Sequence, residues 1–506
     1  MEYVPLYGGN PIVGLLLTAP GILALLGIYY IFQVSMPRSG GDYIFMGRVL
    51  HPALALAANF AGYTFFLWFW IGDAASVFTT QGLSQTLSVY GSLTGQAWAT
   101  NAASAFTPWT TFIVGTLVIA IFTAIVLTSS RLYFRIQNVG MIIAVIGLLV
   151  MIGLLALTTQ SAFSTALNKY AATQAYQNAT TAGTTYWGGP TPTAAVSNST
   201  LLLIPLFFTV LFWVYVSNYT GGETKEVRRS AKTALFGAFA IIFLSTLAIL
   251  GLAYYNLGAD FLSGAGCIAF EYTGCGNPLS VTPNLTLFSA VLSNNPILVW
   301  LIGIGVVAGF VLVAPQCMIL MSRILFGYSF DRVIPTSVAD VSERWHTPVK
   351  GILVAAIGGE IMLAFLSGIL GGSNSTLAFS LYYYAGLAAV GIVFTLMGVS
   401  AILFPYRRRA LYQTSNPIKR KIMGVPVITW LGIITLVYAL ATFIYYSYDY
   451  QFYFGAGTQL ANDYPYFLVL LAAMFIGAII WFYVARWYRT KKGIPFDKAF
   501  QEIPPE

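Results

Sequence analysis

The sequence predicts an all-α polytopic membrane protein in which residues 1–506 form one transmembrane domain. The first observation is composition: 58% of the residues are hydrophobic and 8% are charged, whereas a soluble domain carries roughly 25% charged residues. The second is a mean hydropathy of +0.77, concentrated in eleven apolar segments long enough to cross a bilayer as helices. These segments cover residues 12–35, 52–78, 108–128, 139–158, 201–221, 233–256, 296–322, 351–370, 379–404, 427–446 and 465–485.

The third observation is the placement of the basic residues. If the loop at 36–50 is cytoplasmic and the segments alternate sides, all 24 Lys and Arg residues except Lys169 fall on the inner side. Membrane proteins keep an excess of basic residues on the cytoplasmic side. The net charge of +8 therefore reports topology, and nucleic acid is not expected as a partner. The same alternation places the tail at 486–506 in the cytoplasm.

The elements follow one another with short polar turns between most of them. Residues 1–10 are too short and polar to span a membrane. The first helix ends at the Pro- and Gly-rich turn Met36–Tyr43, and the next begins at Pro52. Two long, polar outer loops are expected, around 81–107 and 159–200.

The outer loops carry features of an extracellular face. Cys267 and Cys275 share one of these loops, where oxidising conditions favour a disulfide; the alternative is two free thiols. Four Asn-x-Ser/Thr glycosylation acceptors also fall in outer loops, at Asn178, Asn198, Asn284 and Asn374. With only 2 His in the chain, haem-copper and multi-histidine metal chemistry is excluded, and no cofactor is expected.

Acidic residues inside apolar segments are costly and so are candidates for function. Glu360 lies near the predicted midplane beside Gly358 and Gly359, where a neighbouring helix can approach closely. It is either a proton-carrying carboxylate or, as we favour, one partner of a buried hydrogen bond between helices. Asp73 falls near the outer interface, where it is a candidate gate residue or, more simply, part of a solvated helix end.

The segment at 198–232 stands out among the apolar segments. It opens with a helix-capping Asn-Ser-Thr run, carries Pro205 inside an aromatic helix, and ends in Gly221-Gly222 before a basic patch. A proline inside a membrane helix frees backbone groups that other groups must satisfy. In transporters, interrupted helices of this kind commonly form the substrate site.

Three motifs resemble those of the amino acid–polyamine–organocation superfamily of permeases. Met36–Arg48 (MPRSGGDYIFMGR) is similar to the first inner-loop motif of that family, and Tyr219–Arg229 (YTGGETKEVRR) to the motif at the inner end of its sixth helix. Ser322-Arg323, the stretch at 330–335 (FDRVIP) and Thr347-Pro348-Val349 resemble its loop between helices eight and nine. The motifs occur in the family's order, and the resemblance covers essentially the whole chain.

The resemblance implies twelve helices, ten of them in a five-plus-five inverted repeat whose first and sixth helices are broken at mid-membrane. It also implies alternating access driven by a proton or sodium gradient. Here only one helix precedes the Pro-Arg-Ser-Gly-Gly loop, so eleven of twelve helices are visible and residues 1–10 are interpreted as a remnant of the first. Positions that hold Gly and an acid in many members hold Trp213 and Tyr215, which places the sixth-helix break at about 209–213. The helix at 139–158 lacks the lysine of some proton-coupled members, so the coupling ion stays open.

These inferences predict a secondary amino-acid permease of the plasma membrane, embedded in lipid. The expected substrate wall comes from the broken helix and two facing positions, namely Phe208, Thr209, Phe212, Trp213, Tyr63 and Gln316. The expected gating or coupling residues are Glu360, Tyr215 and Asp73. The alternative is a non-transporting membrane scaffold or accessory subunit with a permease-like exterior. A membrane enzyme is disfavoured because the sequence offers no metal-ligand cluster or nucleophile–base pair.

Overall fold

A computed structural model describes residues 9–190, 197–223, 226–269, 275, 279, 283–293, 295–345, 347–370, 389–453 and 459–500. Within these residues, eleven helical runs are long and apolar enough to cross a membrane. The predicted all-α polytopic fold is therefore confirmed. The predicted span at 379–404 is described only from Ala389 onward.

The described part of the first half of the chain contains ten α-helices. They are α1 (Pro11–Ser35), α2 (Asp42–Val49), α3 (Pro52–Val77), a π-helical segment (Phe78–Ser84), α4 (Gln85–Thr94), α5 (Ala97–Ser104), α6 (Pro108–Thr128), α7 (Ser130–Leu157), α8 (Gln160–Tyr170), α9 (Ala175–Tyr186), α10 (Asn198–Leu211) and a 3-10 helix (Phe212–Glu223).

The second half continues the all-helical pattern. It contains α11 (Val227–Lys232), a π-helical segment (Thr233–Gly237), α12 (Ala238–Asn256), α13 (Ala259–Ala269), α14 (Leu285–Leu292), α15 (Pro296–Val311), α16 (Val313–Phe330), a 3-10 turn (Thr336–Val338), α17 (Val349–Leu366), a π-helical segment (Ala389–Phe394), α18 (Thr395–Arg407), α19 (Arg409–Ser415), α20 (Val427–Tyr453), α21 (Gln459–Lys491) and a 3-10 helix (Phe496–Phe500). One small antiparallel hairpin pairs Lys421–Ile422 with Val425–Pro426.

The helices begin where the sequence supplies caps. Asn10 accepts hydrogen bonds from the backbone N–H groups of Ile12 and Val13, and Pro11 occupies the first position of α1. Proline also opens α3, α6 and α15. A proline at this position fixes a helical φ and removes an N–H that would have no partner.

The core is arranged around α3, which packs against α2, α6, α16, α17 and α21. Glycines allow the closest of these approaches. A Cβ added at Gly72 of α3 would lie 2.6 Å from the backbone nitrogen of Leu363 on α17, while Gly358 and Gly359 of α17 lie against Trp68 and Ile71 of α3. The expected close approach of a neighbouring helix to Gly358 and Gly359 is thus present, and α3 provides it.

The outer connections are helical, contrary to the polar loops that the sequence suggested. The α3 helix runs on through the π-helical segment into α4 as one helical stretch from Pro52 to Thr94. It stops only at Gly95, whose φ of +68° is left-handed. Likewise, α8 and α9 occupy much of the connection expected at 159–200. The prediction of loops was wrong because polar Ser, Thr and Gln residues can still form helices when no helix-breaking residue interrupts them.

The structure joins Cys267 to Cys275 in a disulfide, with Cα atoms 6.1 Å apart. Among the glycosylation candidates, Asn178 is exposed on α9 and stays a prediction. The prediction of a glycan on Asn284 is corrected by the structure. The Asn284 side chain is buried and caps α14, and its Nδ2 donates to Gln85 Oε1 at 2.7 Å. The folded protein therefore has no room for a glycan at this position. The side chain of Asn198 and the whole of Asn374 lie outside the described residues.

The helix expected to be broken changes its type without unwinding. α10 carries Pro205 and continues to Leu211, and a 3-10 helix follows from Phe212. The change falls inside the stretch at 209–213. The non-helical dihedral angles lie further on, at Thr220 (φ −106°, ψ 18°). We therefore correct the expected mid-membrane break to a change from α to 3-10 geometry followed by a kink near the inner end.

Candidate functional site

The three sequence motifs meet at one place in the fold. The Tyr219 hydroxyl, near the inner end of the 3-10 helix, donates to Asp42 Oδ2 of α2 at 2.6 Å. Gly41 sits directly against the Tyr219 ring, where a Cβ would lie 2.9 Å from ring carbon Cε1. Gly41 also has a φ of +50°, which a side chain would disfavour. The Gly-Gly pair of the first motif therefore allows α2 to approach the second motif closely.

The third motif is held to the first by a buried ion pair. Arg48 of α2 donates from Nη1 to Asp331 Oδ2 at 2.7 Å and from Nη2 to Asp331 Oδ1 at 2.8 Å. Both side chains are almost fully buried. Beside them, the Tyr43 ring meets the Tyr328 ring edge-on at 4.8 Å, and the Tyr328 hydroxyl donates to Asn59 Oδ1 at 2.6 Å. This polar layer joins α2, α3 and α16 on the side that the basic residues mark as cytoplasmic.

Most of the predicted substrate-wall residues lie in a continuous aromatic cluster. Tyr63 of α3 lies 6.0 Å from Tyr215, ring centre to ring centre, and Phe212 lies 5.7 Å from Tyr215. Trp213 stacks on Phe66 at 4.8 Å. The structure thus brings Tyr63, Phe212, Trp213 and Tyr215 together around the start of the 3-10 helix.

Three further rings that the sequence did not single out belong to the cluster. Tyr29 of α1 lies 5.1 Å from Tyr215. Phe394 lies 5.1 Å from Phe212 and 6.3 Å from Phe208, which links the predicted Phe208 to the rest. Phe66 lies on α3 beside Trp213. The chain contains 36 Phe and 32 Tyr, so no local signal distinguishes these three from rings that face lipid.

Two of the predicted wall residues are placed differently. The Thr209 hydroxyl donates to the Leu206 carbonyl at 2.8 Å, so its hydrogen bond stays within its own helix. Gln316 is half-buried on α16 and is not part of the aromatic cluster. Their contact with a substrate stays a prediction.

The two intramembrane acids have different surroundings. Glu360 on α17 accepts a hydrogen bond from the Thr116 hydroxyl of α6 at 3.0 Å, which is the interhelical bond that the sequence favoured for it. Asp73 is half-buried within the continuous helical stretch Pro52–Thr94. The expectation that Asp73 occupies a solvated helix end is therefore wrong, because residues after Val77 extend the helix by several turns.

Asp42 is the acidic residue that the sequence did not single out. It is fully buried at the first position of α2. Burial raises the pKa of its carboxyl to about 6, and the hydrogen bond from Tyr219 offsets part of that rise. An acid directly after two glycines in the first motif was the available signal, but a Gly-rich turn next to a membrane helix ordinarily predicts an exposed loop.

Comparisons with known proteins bear on the whole chain. A family model described as "Amino acid permease" matches residues 4–475. A search of curated proteins found no match. Among solved structures, a mutant of the manganese transporter of Eremococcus coleocola aligns over 93% of this chain and 94% of its own, at 15% identity and a TM-score of 0.13. A TM-score this low carries no argument about fold.

Among the described residues, no group of three or more His, Cys, Asp or Glu side chains is arranged to hold a metal.

Proposed function

Because the chain belongs to the amino acid permease family, we propose that it is a secondary active transporter that carries amino acids across the plasma membrane by alternating access. The family and the eleven membrane-spanning helices make it a multi-pass membrane transporter. The amino-acid substrate, the coupling to a proton or sodium gradient and the plasma-membrane location are the proposed part.

One observation carries the proposal of alternating access. The motifs that resemble those of the permease superfamily are far apart in the chain, yet they meet in a buried polar layer formed by α2, the 3-10 helix and the end of α16. Tyr219 binds Asp42, and Arg48 binds Asp331. Polar contacts between chain-distant helices at one end of a bundle can form and separate as discrete states. We interpret this layer as the inner gate, in its closed arrangement.

The aromatic cluster directly above that layer is the proposed substrate wall. It contains Phe208, Phe212 and Trp213 from α10 and the 3-10 helix, and Tyr63 from α3. Thr209 and Gln316 complete the proposed set. Because the rings are apolar and no described cation stands among them, a neutral or hydrophobic amino acid fits best. Tyr215, which contacts both Phe212 and Tyr219, is proposed to transmit substrate binding to the gate.

Glu360 and Asp73 are proposed as further gating or coupling residues. Glu360 lies between α6 and α17, and Asp73 adjoins Gly72, where α3 and α17 are closest. A change of charge at either residue would act on the packing of α17.

The test is uptake of labelled amino acids into proteoliposomes under imposed proton or sodium gradients. We expect gradient-dependent uptake of at least one neutral amino acid. Trp213→Ala removes part of the proposed wall, and Thr209→Trp blocks the proposed site. Each variant should lower the apparent affinity for the amino acid by tenfold or more, about 1.4 kcal/mol. Trp109→Ala is the matched control, since Trp109 is 64% exposed at the start of α6.

Two outcomes would contradict the proposal. Uptake and affinity left intact by both wall variants would place the substrate site elsewhere. No binding or uptake of any amino acid by the folded protein would favour the alternative function, a scaffold or accessory subunit with a permease-like exterior.

A further inference from the structure

Asp42 is a buried acid with no basic partner among the described residues. Its side chain has no exposed surface and lies at the N-terminal end of α2, under the 3-10 helix. Tyr219 donates to Oδ2 at 2.6 Å, while Oδ1 accepts no well-aligned hydrogen bond from a described residue. No Lys, Arg or His among the described residues forms an ion pair with it, and Arg48 on the same helix is bound by Asp331.

Among the described residues, the side chains that interact electrostatically with Asp42 carry neutral hydroxyls, and the Tyr219 hydroxyl is the one that hydrogen-bonds to it. One comes from α1, one from α3, two from the 3-10 helix and one from α16, namely Tyr29, Tyr63, Tyr215, Tyr219 and Tyr328. All five side chains are buried. A hydroxyl can accept a hydrogen bond from a protonated carboxyl as well as donate one to a carboxylate. These five tyrosines therefore suit a carboxylic acid as well as a carboxylate. They supply no positive charge, which a permanently ionised buried carboxylate would need.

We propose that Asp42 binds the proton whose movement is coupled to transport, with the proton on Oδ1 while the inner gate is closed. This inference rests on the proposed transport function and deepens it by naming the coupling ion and its site. When the 3-10 helix moves away from α2, water reaches the carboxyl. The O–H bond at Oδ1 then breaks, a water molecule takes the proton as hydronium, and the carboxylate that remains is hydrated.

The direction of the pH effect follows from burial. In the closed gate the carboxyl keeps its proton up to about pH 6, because desolvation disfavours the charged form. In water an aspartate loses its proton near pH 4. Between these two values, closing the gate takes up a proton and opening it releases one. Lower pH therefore favours the closed gate, and higher pH favours opening.

Tyr219 offers a graded test of this site. Its hydroxyl bonds to the carboxyl and lowers the pKa of Asp42. Tyr219→Phe removes that bond and keeps the ring, so the proton should be held more tightly. The pH at which transport is half-maximal should then shift upward.

The experiment uses proteoliposomes of the full chain that contain a pH-sensitive dye. The probe is the neutral amino acid found to be transported. With the unmodified protein, we expect addition of this amino acid to acidify the lumen. Asp42→Asn should abolish the acidification. It should also abolish the pH dependence of amino-acid exchange between about pH 4 and pH 6, which are the pKa values of the carboxyl in water and in the closed gate. Asp340→Asn is the matched control, because the Asp340 side chain is exposed and its ion-pair partner is Lys350, which is not part of the gate. With this control variant, addition of the amino acid should acidify the lumen as much as it does with the unmodified protein.

The outcomes separate this inference from the transport proposal. Acidification that persists in Asp42→Asn, or that is lost instead in Glu360→Gln, would overturn Asp42 as the proton site. Uptake driven by sodium without proton movement would overturn it as well. If Asp42→Asn does not fold, a downward or absent pH shift in Tyr219→Phe overturns the inference. No amino-acid movement with the unmodified protein would count against the transport function itself.

Discussion

At the residue scale, the inner layer contains a buried ion pair between Arg48 and Asp331. The guanidinium makes two hydrogen bonds to the carboxylate in a nearly water-free setting. Burial alone would lower the pKa of Arg48, but the hydrogen bonds and charge of Asp331 leave that pKa raised. Arg48 therefore stays charged, and it and the Asp331 carboxylate depend on each other for compensation.

This dependence gives a prediction for Arg48→Met. Removing the cation leaves Asp331 buried and uncompensated, so the variant should lose about 3–5 kcal/mol of stability. Adding Asp331→Asn to it should recover part of the loss, because the uncompensated charge disappears. The measurement is a double-mutant cycle of unfolding free energies in detergent. Strictly additive losses would mean that the two side chains do not interact energetically.

At the element scale, the contact between α3 and α17 depends on the absence of side chains. A Cβ at Gly72 would lie 2.6 Å from the nitrogen of Leu363 and 2.8 Å from the carbonyl oxygen of Gly359. These are backbone atoms, which cannot turn aside as a flexible side chain can. The two helices would have to move apart, and the van der Waals contacts along them would weaken.

Gly72→Ala should therefore lower the melting temperature of the protein in detergent. The matched control is Gly153→Ala on α7, where a Cβ would meet nothing within 4 Å. That control should be neutral or stabilising by up to about 1 kcal/mol, since alanine favours a helix over glycine. Equal melting temperatures for the two variants would show that α3 and α17 are not in close contact.

At the scale of the whole molecule, the distribution of charge predicts orientation in the membrane. If the spans alternate sides, every basic residue except Lys169 falls on one side. Lys169 is exposed on α8, and Arg409, in the basic stretch after α18, is exposed as well. The native Cys317 is buried, and Cys267 and Cys275 are paired, so an introduced cysteine would be the main reactive thiol.

Lys169→Cys should therefore react with a membrane-impermeant maleimide on intact cells, because the charge pattern predicts that this position faces the outside. Arg409→Cys should react only after the cells are permeabilised. The labelled protein can be quantified on a gel, with the unmodified chain as background. Labelling of Arg409→Cys on intact cells would reverse the orientation proposed here, including the cytoplasmic loop at 36–50.

The sequence by itself determined the fold class, the eleven spans and the likeness to a permease family. It also identified the segment around Phe212 and Trp213 and the three motifs that meet at the inner layer. These properties are local, because hydropathy, length and charge along the chain decide whether a segment enters lipid as a helix. The bounds of α1 and α6 follow closely from such signals.

Only the tertiary structure decided which polar residues are buried and what they contact. Asp42 is a loop acid by sequence, yet it is enclosed by Tyr219, 177 positions away. Arg48 is a topology marker by sequence, yet it binds Asp331, 283 positions away. Asn284 is a glycan acceptor by motif, yet it is buried against Gln85. Burial depends on which distant segments pack together, and a linear pattern of residue types does not contain that information.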